Sequence, residues 1–323
     1  MRAILAVSDL TPDSDEALAT AARFAGLTGS SLHVVHSMEL VGMPLWEAIQ
    51  TDVGRRIRDA ESALAEQLLR AVPGGCTVAS CALDFHNLQD SILLRGREAG
   101  ADLIVFGAAD PLTPGGARHL GALQGVAEVS AVPCLLVRKP LHHPFSRVLL
   151  PLSAAEIGQG VLADACDWLA SLAGPARFGR PLTELQVLYV ASGPREWRDL
   201  SAELDRELDW ARDQRQWTGC LRMRRSIRWS AAAQMEILSA AAEQAPDLVL
   251  MGPGCGTASS PDHARAPRMD LLRCLPCSVL VLPGTLRSDE EGGGSRLPPL
   301  PPETPVFEEP EAETVMEIAA AGD

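Results

Sequence analysis

The feature that most constrains the fold is an internal repeat, in which three short apolar segments recur in the same order, 143 to 145 residues apart. The matching pairs are 2–7 with 147–152, 101–107 with 246–252, and 133–137 with 276–281. Self-similarity at one period is the signature of a duplicated structural unit. The sequence therefore predicts two copies of one domain, at residues 1–140 and 146–285.

Within each copy, short apolar runs that favour β-strands alternate with longer segments of helical period. The strands predicted in the first copy are Ala3–Ser8, Leu32–His36, Thr77–Leu83, Leu103–Phe106 and Cys134–Val137. In the predicted helix 44–72, the buried face is expected to carry Ile57, Ala60, Leu64, Leu68 and Leu69. Continuously apolar strands separated by helices indicate an α/β fold, with an open parallel sheet covered on both faces.

From residue 286 onward the chain becomes rich in proline, glycine and glutamate. Residues 286–323 contain ten acidic and two basic side chains, which is a charge of −8 out of the net −14. Such a segment cannot bury enough apolar surface to fold alone, so we expect a disordered tail that is dispensable for folding. Its prolines at 298–302 leave a polyproline II ligand as an alternative to a solvated tail.

Composition bears on partners and location. The chain has 28 basic and 42 acidic residues and only 4% aromatic residues, whereas nucleic-acid binding needs basic surfaces and stacking rings. No apolar run approaches the roughly 18–20 residues that span a bilayer, and none resembles a signal peptide. Eight cysteines in 323 residues are too few for a disulfide scaffold. We therefore expect a cytoplasmic protein that binds neither nucleic acid nor membranes.

Two ordered sets of motifs resemble the universal stress protein family. In the first copy they are the opening strand and acidic turn 4–12, the second strand 32–36, the fourth strand 102–107 and the start of the fifth at 132–137. The second copy has matching segments at 147–153, 185–190, 247–252 and 275–281. The resemblance covers nearly all of residues 2–283. It implies a tandem universal stress protein with strand order 3-2-1-4-5 in each copy.

The family resemblance also implies dimeric packing through the last strands. We expect the two copies to form an intramolecular pseudo-dimer, because a short linker holds the second copy at high effective concentration. A homodimer is a further possibility. The strands 134–137 and 278–282 have apolar edges that invite aggregation when uncovered, so we expect the other copy or a second chain to cover them.

Ligands of open parallel sheets bind at the carboxyl ends of the strands where the strand order reverses, here between the first and fourth strands. The resemblance implies that the acid after the first strand contacts an adenosine group. It also implies that a glycine-rich loop after the fourth strand holds the phosphates, since glycines and a helix N-terminus bring N–H groups to the oxyanions. The candidate cofactor-binding residues are Asp9, Leu10, Thr11, Gly107, Gly115 and Gly125.

The first copy departs from the family's loop pattern. Leu112 stands at the place of a glycine, Val126 replaces a hydroxyl residue, and a register using Gly121 also lacks the hydroxyl. Two interpretations stay open: a weakened site for ATP, and a simple loop turn at 115–116. The neighbouring side chains Arg118 and His119 could lend charge to a phosphate, but the preferred interpretation is that both face solvent.

The second copy departs further from the pattern. Ser153 stands at the acid position, the glycines at 252–256 have the wrong spacing, and 265–266 replace the terminal glycine and hydroxyl. We therefore expect nucleotide, if it binds at all, to bind only the first copy.

Other motifs do not indicate catalysis or a metal. The pair Cys274 and Cys277 resembles a redox motif but ends a predicted helix instead of beginning one, so we predict a structural role. His142 and His143 have no ligand set nearby. No nucleophile elbow, Walker loop or zinc-protease motif is present. The expected function is a non-catalytic stress-response protein, with an adenine-nucleotide hydrolase-like enzyme or a nucleotide-free interaction scaffold as alternatives.

Overall fold

The computed structural model describes thirteen segments of the chain, and structural statements below concern them alone. They are residues 1–38, 52–74, 76–108, 113–141, 145–154, 156–157, 159–173, 183–191, 193–214, 217, 221–252, 255 and 265–283. Leu112, the linker histidines 142–143 and the predicted tail 286–323 lie outside the described residues. Contacts divide the chain into two compact units, and the boundary falls between Val132 and Pro133.

The first unit alternates strands with helices throughout. Its elements are β1 (Ala3–Ser8), α1 (Pro12–Thr28), β2 (Ser31–Ser37), α2 (Val53–Ala71), β3 (Val78–Asp84), α3 (Leu88–Ala99), β4 (Leu103–Gly107) and α4 (Pro114–Val129). The strands are parallel and lie in the order β3-β2-β1-β4. Every residue of β1 and β4 is buried, as continuously apolar strands in a helix-covered sheet should be.

The second unit repeats this alternation. Its elements are β5 (Cys134–Val137), β6 (Arg147–Leu152), α5 (Val161–Ala173), β7 (Thr183–Ala191), α6 (Pro194–Asp213), β8 (Leu221–Trp229), α7 (Ala233–Gln244), β9 (Leu248–Met251), α8 (Arg265–Cys274) and β10 (Ser278–Val281). The strands lie in the order β5-β10-β9-β6-β7-β8, and all pairs are parallel except β5 with β10. The predicted α/β fold with mainly parallel strands is confirmed.

Strand β5 ends the first sequence copy but lies in the second unit. It runs antiparallel to β10, with Leu135 opposite Leu280. Next to it, Arg138 donates its amide to the hydroxyl of Ser278 at 3.0 Å and its guanidinium to the carbonyl of Leu272. The contact boundary thus precedes the repeat boundary, and the bounds 1–140 and 146–285 stay a prediction about the repeat. The predicted pseudo-dimer likewise stays a prediction.

Helix α2 corrects one detail of the predicted buried face. Ala60, Leu64 and Leu68 are buried as expected, but Leu69 is 77% exposed and Gln67 is 1% exposed. Successive helical residues lie about 100° apart, so a stripe that contains positions 60, 64 and 68 includes 67 and excludes 69. A polar side chain therefore occupies a core position, where it needs hydrogen-bond partners.

A repeated aspartate attaches the fourth strand of each copy to the first. In the first unit Asp102 accepts the amide of Arg2 at 2.5 Å. In the second, Asp247 accepts the amides of Ser146 and Arg147 at 2.7 and 3.0 Å. The repeated aspartate is therefore structural, because its carboxylate satisfies backbone donors at the beginning of a strand.

The helix that precedes each fourth strand ends in a left-handed residue, and the two copies differ there. Gly100 caps α3 with φ 59°, whereas Ala245 caps α7 with φ 44°. These positions are separated by the repeat distance of 145 residues. Only glycine adopts this conformation without a steric penalty from Cβ, so the second copy carries a strain that the first avoids. None of the described helices is long and apolar enough to span a membrane.

We expect Ala245→Gly to raise the free energy of unfolding by up to about 1 kcal/mol, because it removes the left-handed strain. Gly100→Ala is the matched control and should lower the same quantity by a similar amount. Urea denaturation of both variants measures the two changes. Destabilisation by Ala245→Gly would show that packing of the Ala245 methyl group stabilises the fold by more than its left-handed backbone destabilises it.

Candidate functional site

The turn between β1 and α1 presents the carboxylate of Asp9 at the carboxyl end of the first strand. Its Oδ1 accepts the amide of Thr11 at 2.9 Å and the hydroxyl of Thr11 at 2.5 Å. Leu10, between them, has φ 63°, which is uncommon for a residue with a side chain and recurs at functional turns. The turn therefore fixes one carboxylate oxygen and leaves Oδ2 for other contacts.

The pKa of Asp9 lies below its ordinary value through opposing effects. Burial is the largest and would raise the pKa, because it removes the charged form from water. Hydrogen bonds from Thr11 and Ser14, with the electrostatic influence of His119, outweigh burial and lower the pKa. Asp9 is therefore an ionised acceptor at neutral pH.

Gln67 connects α2 to this turn, and the sequence analysis did not predict its role. Its Oε1 accepts the hydroxyl of Ser8 at 2.5 Å, and its Nε2 donates to the carbonyl of Thr11 at 3.1 Å and the hydroxyl of Ser14 at 2.8 Å. A buried amide with its donors and acceptor satisfied is a rigid connection. The sequence signal was a glutamine on the apolar stripe of α2.

Gly107 ends β4 directly beside the first turn of α1. A Cβ at this position would lie 2.8 Å from the backbone oxygen of Asp13 and 2.9 Å from Cα of Ser14. Backbone atoms cannot rotate away as a side chain can, so only glycine fits. Gly107 thus allows α1 to approach β4 and places the Asp9 turn where the strand order reverses.

Two histidines adjoin Asp9. His36, at the end of β2, donates from Nδ1 to the carbonyl of Ser8 at 2.9 Å, and burial lowers its pKa. His119, on α4, has Nε2 4.0 Å from Oδ2 of Asp9, and the side chains are 12% and 15% exposed respectively. The prediction that His119 faces solvent is therefore wrong. Helix α4 begins immediately after the cap Thr113, early enough to bring His119 to the crevice.

The sheet register equates Ser153 of the second unit with Asp9. Ile4 pairs with Leu103 in the first unit, and Val148 pairs with Leu248 in the second. Because Leu103 and Leu248 are equivalent in the repeat, Val148 takes the place of Ile4. Five residues further along each chain lie Asp9 and Ser153. The second crevice therefore lacks the carboxylate at that position.

A different carboxylate fills the second crevice. Glu156 is 1% exposed, and its Oε2 accepts the amide and hydroxyl of Ser153 at 2.8 and 2.7 Å. A Cβ on Gly252, at the place of Gly107, would collide with the Glu156 carboxylate and with Val161. The missing Cβ of Gly107 leaves room for the backbone of α1, whereas the missing Cβ of Gly252 leaves room for the side chain of Glu156.

The sequence analysis missed Glu156, although a signal was present. Ser153 and Glu156 have the Ser-x-x-Glu spacing, at which a glutamate can accept the backbone amide of the serine, although α5 begins only at Val161. The structure shows this bond. The pattern could have been found in the sequence, but its position against Gly252 could not.

Comparison with known proteins identifies the fold. Residues 1–138 match the universal stress protein family. This segment is less than half of the 323 residues, so the likeness to the family is a likeness of the first copy. No curated protein sequence matches the chain significantly.

Solved structures extend the likeness beyond the first unit. A universal stress protein from Archaeoglobus fulgidus DSM 4304 has 16% identity and a TM-score of 0.55 over 87% of this chain and 96% of its own. A putative universal stress protein from Pseudomonas aeruginosa UCBPP-PA14 has 18% identity and a TM-score of 0.55 over 88% and 93%. At these identities the likeness concerns the fold, which the universal stress protein domain and the second unit share.

The predicted site residues are only partly brought together. Asp9, Leu10, Thr11 and Gly107 lie around the end of β1. Gly115 lies in the first turn of α4, where its carbonyl contacts Nδ1 of His119 at 3.2 Å.

Gly125 lies apart from this group. It is inside α4, and a Cβ there would collide with Gln89 of α3. Its neighbour Val126 is fully buried. The structure therefore places both residues in helix packing, away from Asp9. The reason is that α4 is continuous from Pro114 to Val129, where the sequence analysis expected a loop.

The remaining cysteine motif and the cavities lie elsewhere. Cys274 is exposed at the end of α8, whereas Cys277 is buried. Burial raises the pKa of Cys277 to about 11, although Arg138 and Lys139 oppose this effect.

Two cavities of about 280 and 390 Å³ in the second unit include none of the predicted site residues in their lining. The described residues contain no cluster of three or more potential metal ligands.

We expect Glu156→Ala to lower the free energy of unfolding by about 2–4 kcal/mol, since it leaves the Ser153 amide unpaired and a cavity against Gly252. Ser153→Ala removes only the hydroxyl donor and should cost about 1 kcal/mol. Urea denaturation measures both changes. A Glu156→Ala protein as stable as the wild type would contradict the buried position of the carboxylate.

We expect Cys274 to react with iodoacetamide at pH 8 at least tenfold faster than Cys277. The thiolate is the nucleophile, and a thiol with a pKa of about 11 that is also buried supplies very little of it. Peptide mass spectrometry of a time course measures both rates. Equal rates would contradict the structural role predicted for Cys274 and Cys277 and would favour a redox role.

Proposed function

We propose that this chain is a tandem universal stress protein that takes part in a stress response without catalysis. In this proposal an adenine nucleotide binds weakly, and only in the first unit. The observation that carries it is the ionised Asp9 carboxylate held at the reversal of strand order, with Oδ2 not bonded by the Thr11 turn. A carboxylate in that position suits the hydroxyl groups of a nucleoside.

The weak affinity for nucleotide follows from the residues of the first unit that would contact its phosphates. Few backbone amides at the N-terminus of α4 remain for an anion, because Pro114 has no N–H and Gly116 donates to the hydroxyl of the cap Thr113 at 3.1 Å. Val126, at the place of a hydroxyl residue, is buried in helix packing. One lost hydrogen bond is worth about 1 kcal/mol, or several-fold in affinity. We expect a dissociation constant well above the low micromolar range.

The second unit supports a structural role instead. The carboxylate of Glu156 occupies the region between the ends of β6 and β9, where a ligand would have to lie. We propose that this unit binds no nucleotide and that the pair β5 and β10 supports packing between the two sequence copies.

A nucleotide-free interaction scaffold is the second candidate. It is favoured by the burial of the first crevice, where the Asp9 side chain is only 15% exposed. The hydrolase-like alternative finds less support, since the hydroxyls of Ser8 and Ser14 both bond to Gln67 and neither hydroxyl contacts a histidine side chain among the described hydrogen bonds. We also propose a cytoplasmic location, with no nucleic-acid or membrane partner.

We expect ATP to bind the full chain weakly, Asp9→Ala to abolish that binding, and Ser153→Ala to leave it unchanged. The reason is that Asp9 supplies the acceptor for the ligand, whereas Ser153 is bonded to Glu156. Isothermal titration calorimetry of the three proteins measures the affinities. No binding to the wild type would favour the scaffold, and binding that survives Asp9→Ala would refute the site.

A further inference from the structure

In each unit the helix after the first strand packs against the helix after the second strand, and the two units differ at this junction. In the first unit, Arg70 of α2 donates from Nε to Oδ2 of Asp15 at 2.7 Å and from Nη2 to Oδ1 at 3.1 Å. Gln67 donates to the same carboxylate at 2.7 Å. Direct bonds between side chains therefore join α1 to α2.

The corresponding junction of the second unit, between α5 and α6, contains a cavity of about 280 Å³. Its lining includes two buried apolar residues from the beginning of α5, Leu162 and Ala163. The residues from α6 share one face of that helix, and they are Glu203, Arg206, Glu207 and Trp210. The described lining does not include Glu156, so this cavity is separate from the crevice between β6 and β9.

Two opposite charges border this cavity without pairing with each other. Glu203 and Arg206 lie three positions apart on α6, a spacing at which an acid and a base can pair. Asp209 and Arg212 have the same spacing on the same helix, and they pair at 2.9 Å. Within the described residues, Glu203 and Arg206 form no ion pair, and Arg206 donates from Nε to the carbonyl of Ala202 at 3.3 Å. The Glu203 carboxylate and the two Nη groups of Arg206 can therefore contact a ligand.

An indole ring with a fixed position borders the same cavity. Trp210 packs edge to face against Trp217, with ring centroids 5.4 Å apart. Trp217 is 1% exposed and donates from Nε1 to Asp167 at 2.9 Å, which fixes its position. Trp210 nevertheless remains 49% exposed. Together with Leu162 and Ala163, it provides apolar surface beside the two charges.

We propose that this cavity binds an α-amino acid with an aromatic or large aliphatic side chain. The ammonium group pairs with Glu203, the carboxylate accepts from the guanidinium of Arg206, and the side chain packs on Trp210. An amino acid carries both charged groups on one carbon atom, which suits an acid and a base on adjacent turns of one helix. Glu207, the third charged residue of the lining, already interacts within the protein.

The size of the cavity agrees with this class of ligand. Drug-sized ligands and cofactors occupy cavities of roughly 300–1,000 Å³, and the volume here is about 280 Å³. A single amino acid fits such a space better than a nucleotide does. The inference is therefore independent of the nucleotide site proposed for the first unit.

The test titrates the full chain with L-phenylalanine, phenylpropionate and phenethylamine, and measures each affinity by ligand-observed NMR. Water reaches both charged side chains and weakens their attraction for a ligand, so we expect millimolar affinity for phenylalanine. Phenylpropionate lacks the ammonium group, and phenethylamine lacks the carboxylate. Each analogue should bind about fivefold more weakly, because it leaves one of the two charged side chains without its partner.

Two variants assign the charges to their side chains. Glu203→Gln should weaken phenylalanine about fivefold and should not weaken phenylpropionate, which has no ammonium group. Arg206→Gln should weaken phenylalanine similarly and should not weaken phenethylamine, which has no carboxylate. Arg212→Gln is the matched control, because Arg212 lies on the same helix, pairs with Asp209 and is not part of the described lining. It should leave all three affinities unchanged.

Three results would overturn the proposal. Equal affinity for phenylalanine and both analogues would show that only apolar contact is recognised. Absence of phenylalanine binding to the wild type, or full affinity in both Glu203→Gln and Arg206→Gln, would contradict the assigned site. None of these results bears on the ATP titration, because Asp9 lies in the first unit.

Discussion

The contact of the first helix of each copy with the end of its fourth strand determines the shape of both crevices. In the first unit Gly107 lies so close to Asp13 and Ser14 that no Cβ fits between strand and helix. Gly252 has the same position in the second unit. The glycine is therefore required by packing before any ligand is considered. Whatever enters the space between the first and fourth strands must fit against that contact.

The two copies use this shared frame in opposite ways. In the first, backbone of α1 fills the space beside Gly107, and Asp9 remains at the reversal of strand order. In the second, the side chain of Glu156 lies beside Gly252 and is held by Ser153. A carboxylate is present in each crevice, but that of Asp9 follows the first strand directly, whereas that of Glu156 comes from three residues further along and lies against Gly252. The repeat thus conserves architecture while the chemistry of its two sites differs.

Polar side chains on apolar faces explain why the first crevice is rigid. Gln67 comes from a helix far from Asp9 in sequence, yet it bonds to Ser8, Thr11 and Ser14. These bonds hold the turn that contains the left-handed Leu10. A strained residue persists only where its surroundings fix it, and Gln67 contributes that restraint.

The sequence by itself determined the α/β class and most strand positions and predicted a duplication, because repetition and apolar periodicity can be read from local composition. It also identified Asp9 and Gly107, which follow strands directly. Only the tertiary structure decided that α4 continues through Gly125 and that His119 faces Asp9. The same holds for Glu156, which lies against Gly252 almost a hundred residues away. Such contacts depend on which elements distant in sequence pack together at one edge of a sheet, and local sequence patterns do not predict that packing.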